Sequence, residues 1–275
     1  MPDDQQKIAA ALGVTSQFDV AMEVRRRIEF LAQYLSSSSC VTYVLGISGG
    51  VDSLAAGLLA QAAVSQLCAQ RRDARFIAVR LPYGAQADEA DAQKALDVIK
   101  PDRTVTVDIK IAADAMMRAV TDQADDLFDP ARKDFHLGNI KARQRMIAQY
   151  ALAGASQGLV IGTDQAAEAL MGFFTKFGDG AADILPLSGL TKRRVQAVAA
   201  HMGAPENLVF KVPTADLETD APLRPDEEVY GVTYEEIDDF LEGKPISEVA
   251  EALIVRTYKA SAHKRSLPIV PSAHP

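Results

Sequence analysis

VTYVLGISGGVDS, residues 41–53, decides the reading of this chain: an unbroken apolar run, a loop of small residues and hydroxyls, then the start of a helix. Residues 41–47 predict a buried strand and residues 53–70 the helix that follows it. Before the strand, 18–35 predicts a helix in which Val20, Val24, Ile28, Leu31 and Leu35 share one stripe, until four serines break it. Downstream, strands are expected at 76–81, 104–109 and 159–162 and helices at about 88–99, 112–121 and 139–155, with a polar loop over 125–137. Strands that alternate with helices imply parallel βαβ crossovers. The fold class is therefore α/β, a doubly wound, mostly parallel sheet flanked by helices.

The rest of the chain is of another kind. A glycine-rich loop over 177–182 leads to a helix with Thr191 as its cap and Gly203 at its close. A proline- and acid-rich segment over 213–228 follows. Thr233 and Glu236 then have capping-box spacing, and Ser247 is placed to cap a last helix that runs to about Lys259. The expectation is a single domain over 1–275, with a sheet core over about 41–203 and a helical C-terminal extension over about 204–268.

Composition bounds the function. The 275 residues are 48% hydrophobic and 24% charged, ordinary globular values that exclude disordered and fibrous classes. Lys and Arg number 29 against 37 Asp and Glu, a net charge of −8. That argues against a protein that coats nucleic acid, while a small anion needs only a local positive site. The apolar stretches read as broken by charge before the roughly 18 residues of a membrane helix, and the start MPDDQQKIAAALG lacks a signal core. No membrane partner and a cytoplasmic location are expected. Cys40 and Cys68 form no C-x-x-C pair and read as idle thiols in a reducing compartment.

The loop Gly46-Ile47-Ser48-Gly49-Gly50-Val51-Asp52-Ser53 has the chemistry of an anion site. Small residues let backbone N–H groups approach an oxyanion, hydroxyls donate further bonds, and a helix N-terminus adds partial positive charge. It is no Walker A loop, because the lysine of G-x-x-x-x-G-K-S/T is missing, and it is not G-x-G-x-x-G. Asp52 repels phosphate unless a cation intervenes, which points to Mg²⁺ between the carboxylate and a nucleotide. The plainer account is a Gly/Ser turn that caps a helix; the buried strand before it favours the anion site.

S-G-G-x-D-S after a strand resembles the pyrophosphate-binding loop of the ATP pyrophosphatase (PP-loop) superfamily. Four further stretches narrow the resemblance: Arg80-Leu81-Pro82-Tyr83-Gly84; Gly138-Asn139 with Lys141, Ala142, Arg143 and Arg145; Gly162-Thr163-Asp164 with Ala166-Ala167-Glu168 and the run 172–180; and Pro213-Thr214-Ala215-Asp216-Leu217 with His263-Lys264-Arg265. In this order, over about residues 18–268, they resemble the ammonia-dependent NAD synthetase family, of the adenine nucleotide α-hydrolase-like fold. The resemblance implies a homodimer that amidates deamido-NAD to NAD with ammonia, consuming ATP through an adenylated intermediate and releasing AMP and pyrophosphate. It implies ATP contacts at residues 46–53, Arg80, Thr163, Lys192 and Thr214, and Mg²⁺ at Asp52 and Glu168. Deamido-NAD falls to Arg143, Lys176, Asp183, His263 and Lys264.

Each position has a plainer account. Glu168 fits the first turn of any helix, Thr163 an ordinary N-cap, and Lys192 a solvated charge. Arg143 reads as part of a basic face with Lys141 and Arg145, Lys176 as a cation among core phenylalanines, and 263–265 as a surface charge run. The chain departs from the family pattern at Gln165, where histidine is common, at Ala181, where a second glycine is common, and in its tail. A tRNA-modifying PP-loop enzyme is the competing enzymatic reading, but it calls for a basic face and often for catalytic cysteines. A module that binds ATP without cleaving it is the non-enzymatic one.

Overall fold

The computed structural model describes residues 2–84, 89–215 and 224–271. Four parallel strands, β1 (Thr42–Gly46), β2 (Arg75–Arg80), β3 (Arg103–Thr106) and β4 (Gly158–Val160), lie in the order β3-β2-β1-β4. Thr42 is in register with Arg75 on one side and with Gly158 on the other. A lone parallel bridge from Ile161 to Ile184 extends the sheet beyond β4. Helices α1 (Pro2–Ala11) and α2 (Val20–Ser37) come first, and α3 (Val51–Ala69) and α4 (Glu89–Ile99) link the first three strands. Helices α5 (Lys110–Ala124) and α6 (Lys133–Ala155) then return the chain to β4.

Period-two alternation puts the two faces of β1 in different layers. Tyr43 and Leu45 pack with Leu31, Leu54, Leu59 and Val198, whereas Val44 packs with Val79, Val160 and Ala153 of α6. Val198 belongs to α8 (Lys192–His201), which lies beside α2 and α3. Helix α3 corrects one expectation. Its 19 residues are long and apolar enough to cross a membrane, yet 67% of that span is buried inside the protein. Contact with the sheet on one side and α2, α4 and α8 on the others explains the apolarity.

The remaining helices are α7 (Ala166–Met171), α9 (Glu206–Val209), α10 (Asp226–Tyr230), α11 (Tyr234–Leu241) and α12 (Glu248–Ala260), with a two-residue ladder between Thr214–Ala215 and Arg224–Pro225. A third apolar cluster joins Leu170 of α7, Tyr230, Ile237 and Phe240, and Ile254 of α12. Ile8 of α1 belongs to it, and Gln5 Nε2 donates to Phe240 O at 3.0 Å and Lys244 O at 2.9 Å. The helical part is thus closed by the start of the chain, which sequence reading left unassigned. Thr233 and Glu236 form the expected capping box and Ser247 caps α12. Helix α6 begins six residues before the expected 139, because Gly138, which reads as a boundary, is buried inside the helix. Asp216 and Leu217, within the proline- and acid-rich segment, lie outside the described residues, as does the tail 272–275.

Candidate active site

Strands β1, β2 and β3 step to one side of the sheet and β4 to the other. The order therefore reverses between β1 and β4, the place where open α/β sheets bind ligands at the strand carboxyl ends. A cavity of about 470 Å³ opens there. Its walls come from residues 45–48 and 50–53 at the end of β1 and beyond it, 79–81 at the end of β2, 161–163 after β4, α6, α7 with the loop after it, and the start of α8.

The loop after β1 is braced by its own polar groups. Ser48 N donates to Ser53 Oγ at 3.2 Å, Gly50 N donates to Ser48 Oγ at 3.2 Å, and Ser53 Oγ donates to Gly50 O at 3.0 Å. The serine hydroxyls expected to face an anion are first of all holding the turn. Gly49 has φ +88°, and a Cβ there would lie 2.8 Å from Ala92 N, so only glycine fits. Gly49 is also the one member of 46–53 that does not line the cavity. Gly50 caps α3 with no side chain, which leaves the first N–H groups of the helix for a ligand. Arg80 is 3% exposed; its guanidinium donates to Ile47 O and pairs with Glu89 at 2.7 Å, while Nε has no partner. It supports the loop from beneath.

Lys192 is no solvated charge. It is 4% exposed, with Nζ 2.6 Å from Asp52 Oδ2 and 5.1 Å from the centre of the Tyr234 ring. Burial opposes its charge, but Asp52, Glu168 and Asp226 hold the ammonium above its usual value. Glu168, partly covered, stands on the cavity wall. Burial and then the Asp52 carboxylate push its carboxyl well above the usual range. Asp164 is raised to about 7 by burial, with Asp179 and Asp52 as like-charged neighbours. Asp52 Oδ1 is buried without a partner. Among the described residues no cluster of three His, Cys, Asp or Glu has the form of a metal site. Magnesium, however, is held by one or two carboxylates plus substrate phosphates. An orphaned Asp52 oxygen beside a like-charged Glu168 fits that pattern.

Thr163 and Thr214 both line the cavity. Thr163 is not the cap of α7; Gln165 is, accepting from Ala167 N at 2.6 Å, with Nε2 left without a partner. Of the five dinucleotide positions only Lys264 lines the cavity, donating to Gly172 O and Phe174 O at 2.9 Å each. Arg143, Lys176 and His263 form an outer chain: Arg143 Nη2 donates to Lys176 O at 3.2 Å and Lys176 Nζ to His263 O at 2.5 Å. Asp183 stands apart at the end of β4, where it accepts from Val160 N at 2.7 Å.

Sequence reading assigned no role to three further wall residues. Asp226, 7% exposed, accepts from Tyr234 Oη at 2.9 Å with Oδ2 and leaves Oδ1 unpaired. Asn139 Oδ1 accepts from Thr175 Oγ1 at 2.9 Å, and Gln149 Oε1 accepts from Gly46 N at 2.8 Å. Asn139 lay in a stretch already singled out. Asp226 was hidden in an acid-rich segment that resembles a solvated linker.

Residues 23–268 match the family model described as NAD synthase. The chain is 62% identical over 264 residues to a protein named NH(3)-dependent NAD(+) synthetase from Burkholderia ambifaria (strain MC40-6), covering 96% of this chain and 94% of that one. It superposes on the crystal structure of NAD+ synthetase from Burkholderia pseudomallei with a TM-score of 0.83 at 58% identity, over 96% of each chain. NMN synthetase from Francisella tularensis gives 0.79 at 34% identity, over 93% of this chain and 99% of that one. Sequence and architecture agree over nearly the whole length, and the chain belongs to the NAD synthase family.

Proposed function

We propose that this protein amidates deamido-NAD to NAD, with ammonia as nitrogen donor and ATP cleaved to AMP and pyrophosphate, and that the whole chain is one synthetase unit. One observation carries the reading. At the β1/β4 switch point an uncapped helix start, the Asp52–Glu168 pair and the buried Lys192 all face one cavity. Relatives named for this activity match nearly the full chain.

In the first step the nicotinate carboxylate attacks the α-phosphorus of ATP. A new O–P bond forms, the bond from that phosphorus to the bridging oxygen breaks, and pyrophosphate leaves with the electron pair. The N–H groups at the start of α3 receive the departing phosphates, with Ser48 and Ser53 beside them. Lys192 exchanges its Asp52 partner for phosphate oxygen. Magnesium held by Asp52 and Glu168 neutralises phosphate charge when bound. Thr163 and Thr214 take the rest of the nucleotide, with Arg80 fixing the loop. Ammonia then attacks the acyl carbon. The C–N bond replaces the C–O bond to AMP, AMP leaves with the electron pair, and the nitrogen sheds one proton.

Arg143, Lys176, Asp183, His263 and Lys264 are assigned to deamido-NAD. Arg143 shares an exposed face of α6 with Ile147, one turn on, and Met116 and Val120 of α5 are exposed as well. Such apolar exposure beside a substrate residue supports a homodimer with the dinucleotide at the interface, which sedimentation of the pure protein checks. Incubation with ATP, deamido-NAD, Mg²⁺ and ammonium should yield AMP, pyrophosphate and NAD in equal amounts. Nicotinate mononucleotide in place of the dinucleotide is the control, and preferential amidation of that substrate would overturn the choice.

A further inference from the structure

Lys192 is the first residue of α8, and the capping of that helix is unusual. Thr191 occupies the N-cap, yet its side chain accepts nothing from the helix and Oγ1 instead donates to Glu242 Oε1 at 3.2 Å. The cap comes from another helix. Asp238 of α11, 2% exposed, accepts from Lys192 N at 3.0 Å with Oδ1 and from Arg193 N at 2.7 Å with Oδ2. Two bonds to adjacent N–H groups fix the rotation of the first turn as well as its position, and the negative charge complements the helix dipole. The same α11 supplies the Tyr234 ring beside the lysine ammonium, and Tyr234 Oη is tied to Asp226. Helix α11 therefore grips Lys192 at both ends: backbone through Asp238, head through Tyr234.

We propose that Asp238 is a positioning residue for Lys192, holding the first turn of α8 so that the ammonium reaches the phosphate loop and ATP affinity is set by a carboxylate that never touches ATP. The inference rests on the reading above that Lys192 meets ATP. If a carboxylate only stabilised the fold at this point, its loss would lower thermal stability and leave ATP affinity intact. If it positions the lysine, its loss acts on ATP through Lys192 and through nothing else.

A double-mutant cycle separates the two. Asparagine at 238 offers one carbonyl oxygen to two N–H donors, so Asp238→Asn releases one of them. The dissociation constant for Mg-ATP is measured by calorimetry on the wild type, Asp238→Asn, Lys192→Ala and the double variant. Lys192→Ala should weaken binding by about tenfold, the worth of one charge-assisted contact to phosphate. Asp238→Asn should weaken it several-fold, and the double variant should bind no more weakly than Lys192→Ala alone. Ile237→Val, which loosens the same helix from its apolar side, should lower the melting temperature with no change in ATP affinity. If the Asp238→Asn effect persists in full on the Lys192→Ala background, or Ile237→Val reproduces it at equal loss of melting temperature, the positioning role is wrong. Wild-type ATP affinity in Lys192→Ala would instead remove Lys192 from the ATP site and the proposal with it. Should Asp238→Asn not fold, the same cycle is run with Asp238→Glu, which keeps the charge but shifts the carboxylate off the two N–H groups of Lys192 and Arg193. Coupling to Lys192 again supports the proposal and additivity again overturns it.

Discussion

Asp52→Asn tests the centre of the site, and the structure sets what it should do. The carboxylate lies 2.6 Å from Lys192 Nζ in a buried pair. Removing one partner of such a pair ordinarily costs about 3–5 kcal/mol, because the other charge is left uncompensated. Here Lys192 keeps Glu168 and Asp226, and Glu168 loses a repelling neighbour. The expected loss of stability shrinks accordingly to about 1 kcal/mol, within the usual range for a point substitution. Turnover should fall at least about a hundredfold, because an amide cannot replace a carboxylate on a hard cation and one electrostatic stabiliser is worth roughly that much. Two assays together decide the matter. The first is NAD formation at saturating Mg²⁺ and ATP. The second is thermal unfolding with and without Mg²⁺, where cation at ten times its dissociation constant stabilises the wild type by about 1.4 kcal/mol. The variant should lose both the turnover and the Mg²⁺-linked stabilisation. Near-normal turnover with the stabilisation intact would refute the assignment of Asp52 to the cation.

Three further outcomes are expected. The Asp164 carboxyl, at about 7 when folded and about 3.9 when unfolded, keeps its proton longer in the native state, so stability falls as pH rises from about 4 to 7, by at most about 1.4 kcal/mol per unit, and then levels off. Asp164→Asn should therefore gain stability relative to wild type across that window in urea titrations, and a flat difference would sink the burial argument. Gly49→Ala forces a side chain onto φ +88° and against Ala92 N; the left-handed backbone alone costs about 1–2 kcal/mol. Weaker ATP binding should follow from the displaced loop, and wild-type affinity would show that the loop tolerates the Cβ. Lys176→Ala cuts the bond to His263 O and should raise the Michaelis constant for deamido-NAD by about tenfold, a charge-assisted hydrogen bond, while that for ATP stays within about twofold. An equal rise in both constants would overturn the dinucleotide assignment.

Strand β1, the loop and α3 were legible in the sequence because every local signal agreed: apolar run, small residues, then a long run of helix-forming apolar residues, buried on all sides. That the strands run parallel followed from the same alternation, whereas their order β3-β2-β1-β4 came only from the structure. What sequence could not show is what distance along the chain conceals. Asp52 and Lys192 are 140 positions apart, and nothing local marks a lysine in a first helical turn as buried. Asp226 and Asp238 look like surface acids among other acids; only the packing of α10 and α11 turns them inward. Helix α1 escaped notice because its amphipathicity is slight and its apolar Ile8 finds a partner only in the third cluster. The dinucleotide positions show the converse. The resemblance grouped Asp183 with Lys176 and His263, whereas the structure sets it at the β4 edge, holding Val160 N.

The bonds from Gln5 to Phe240 and Lys244 join positions 235 and 239 residues apart. A ribosome adding about 5–20 residues per second leaves the first helix without its partner for on the order of 10–50 seconds. Late in that interval the sheet and its loop are out, but Lys264 and the helix that caps Lys192 are not. The nascent chain thus carries an anion loop with no finished cavity around it. ATP cleavage has to wait until Lys264 and that helix are made, and a chain terminated before them should be inert rather than a wasteful ATPase.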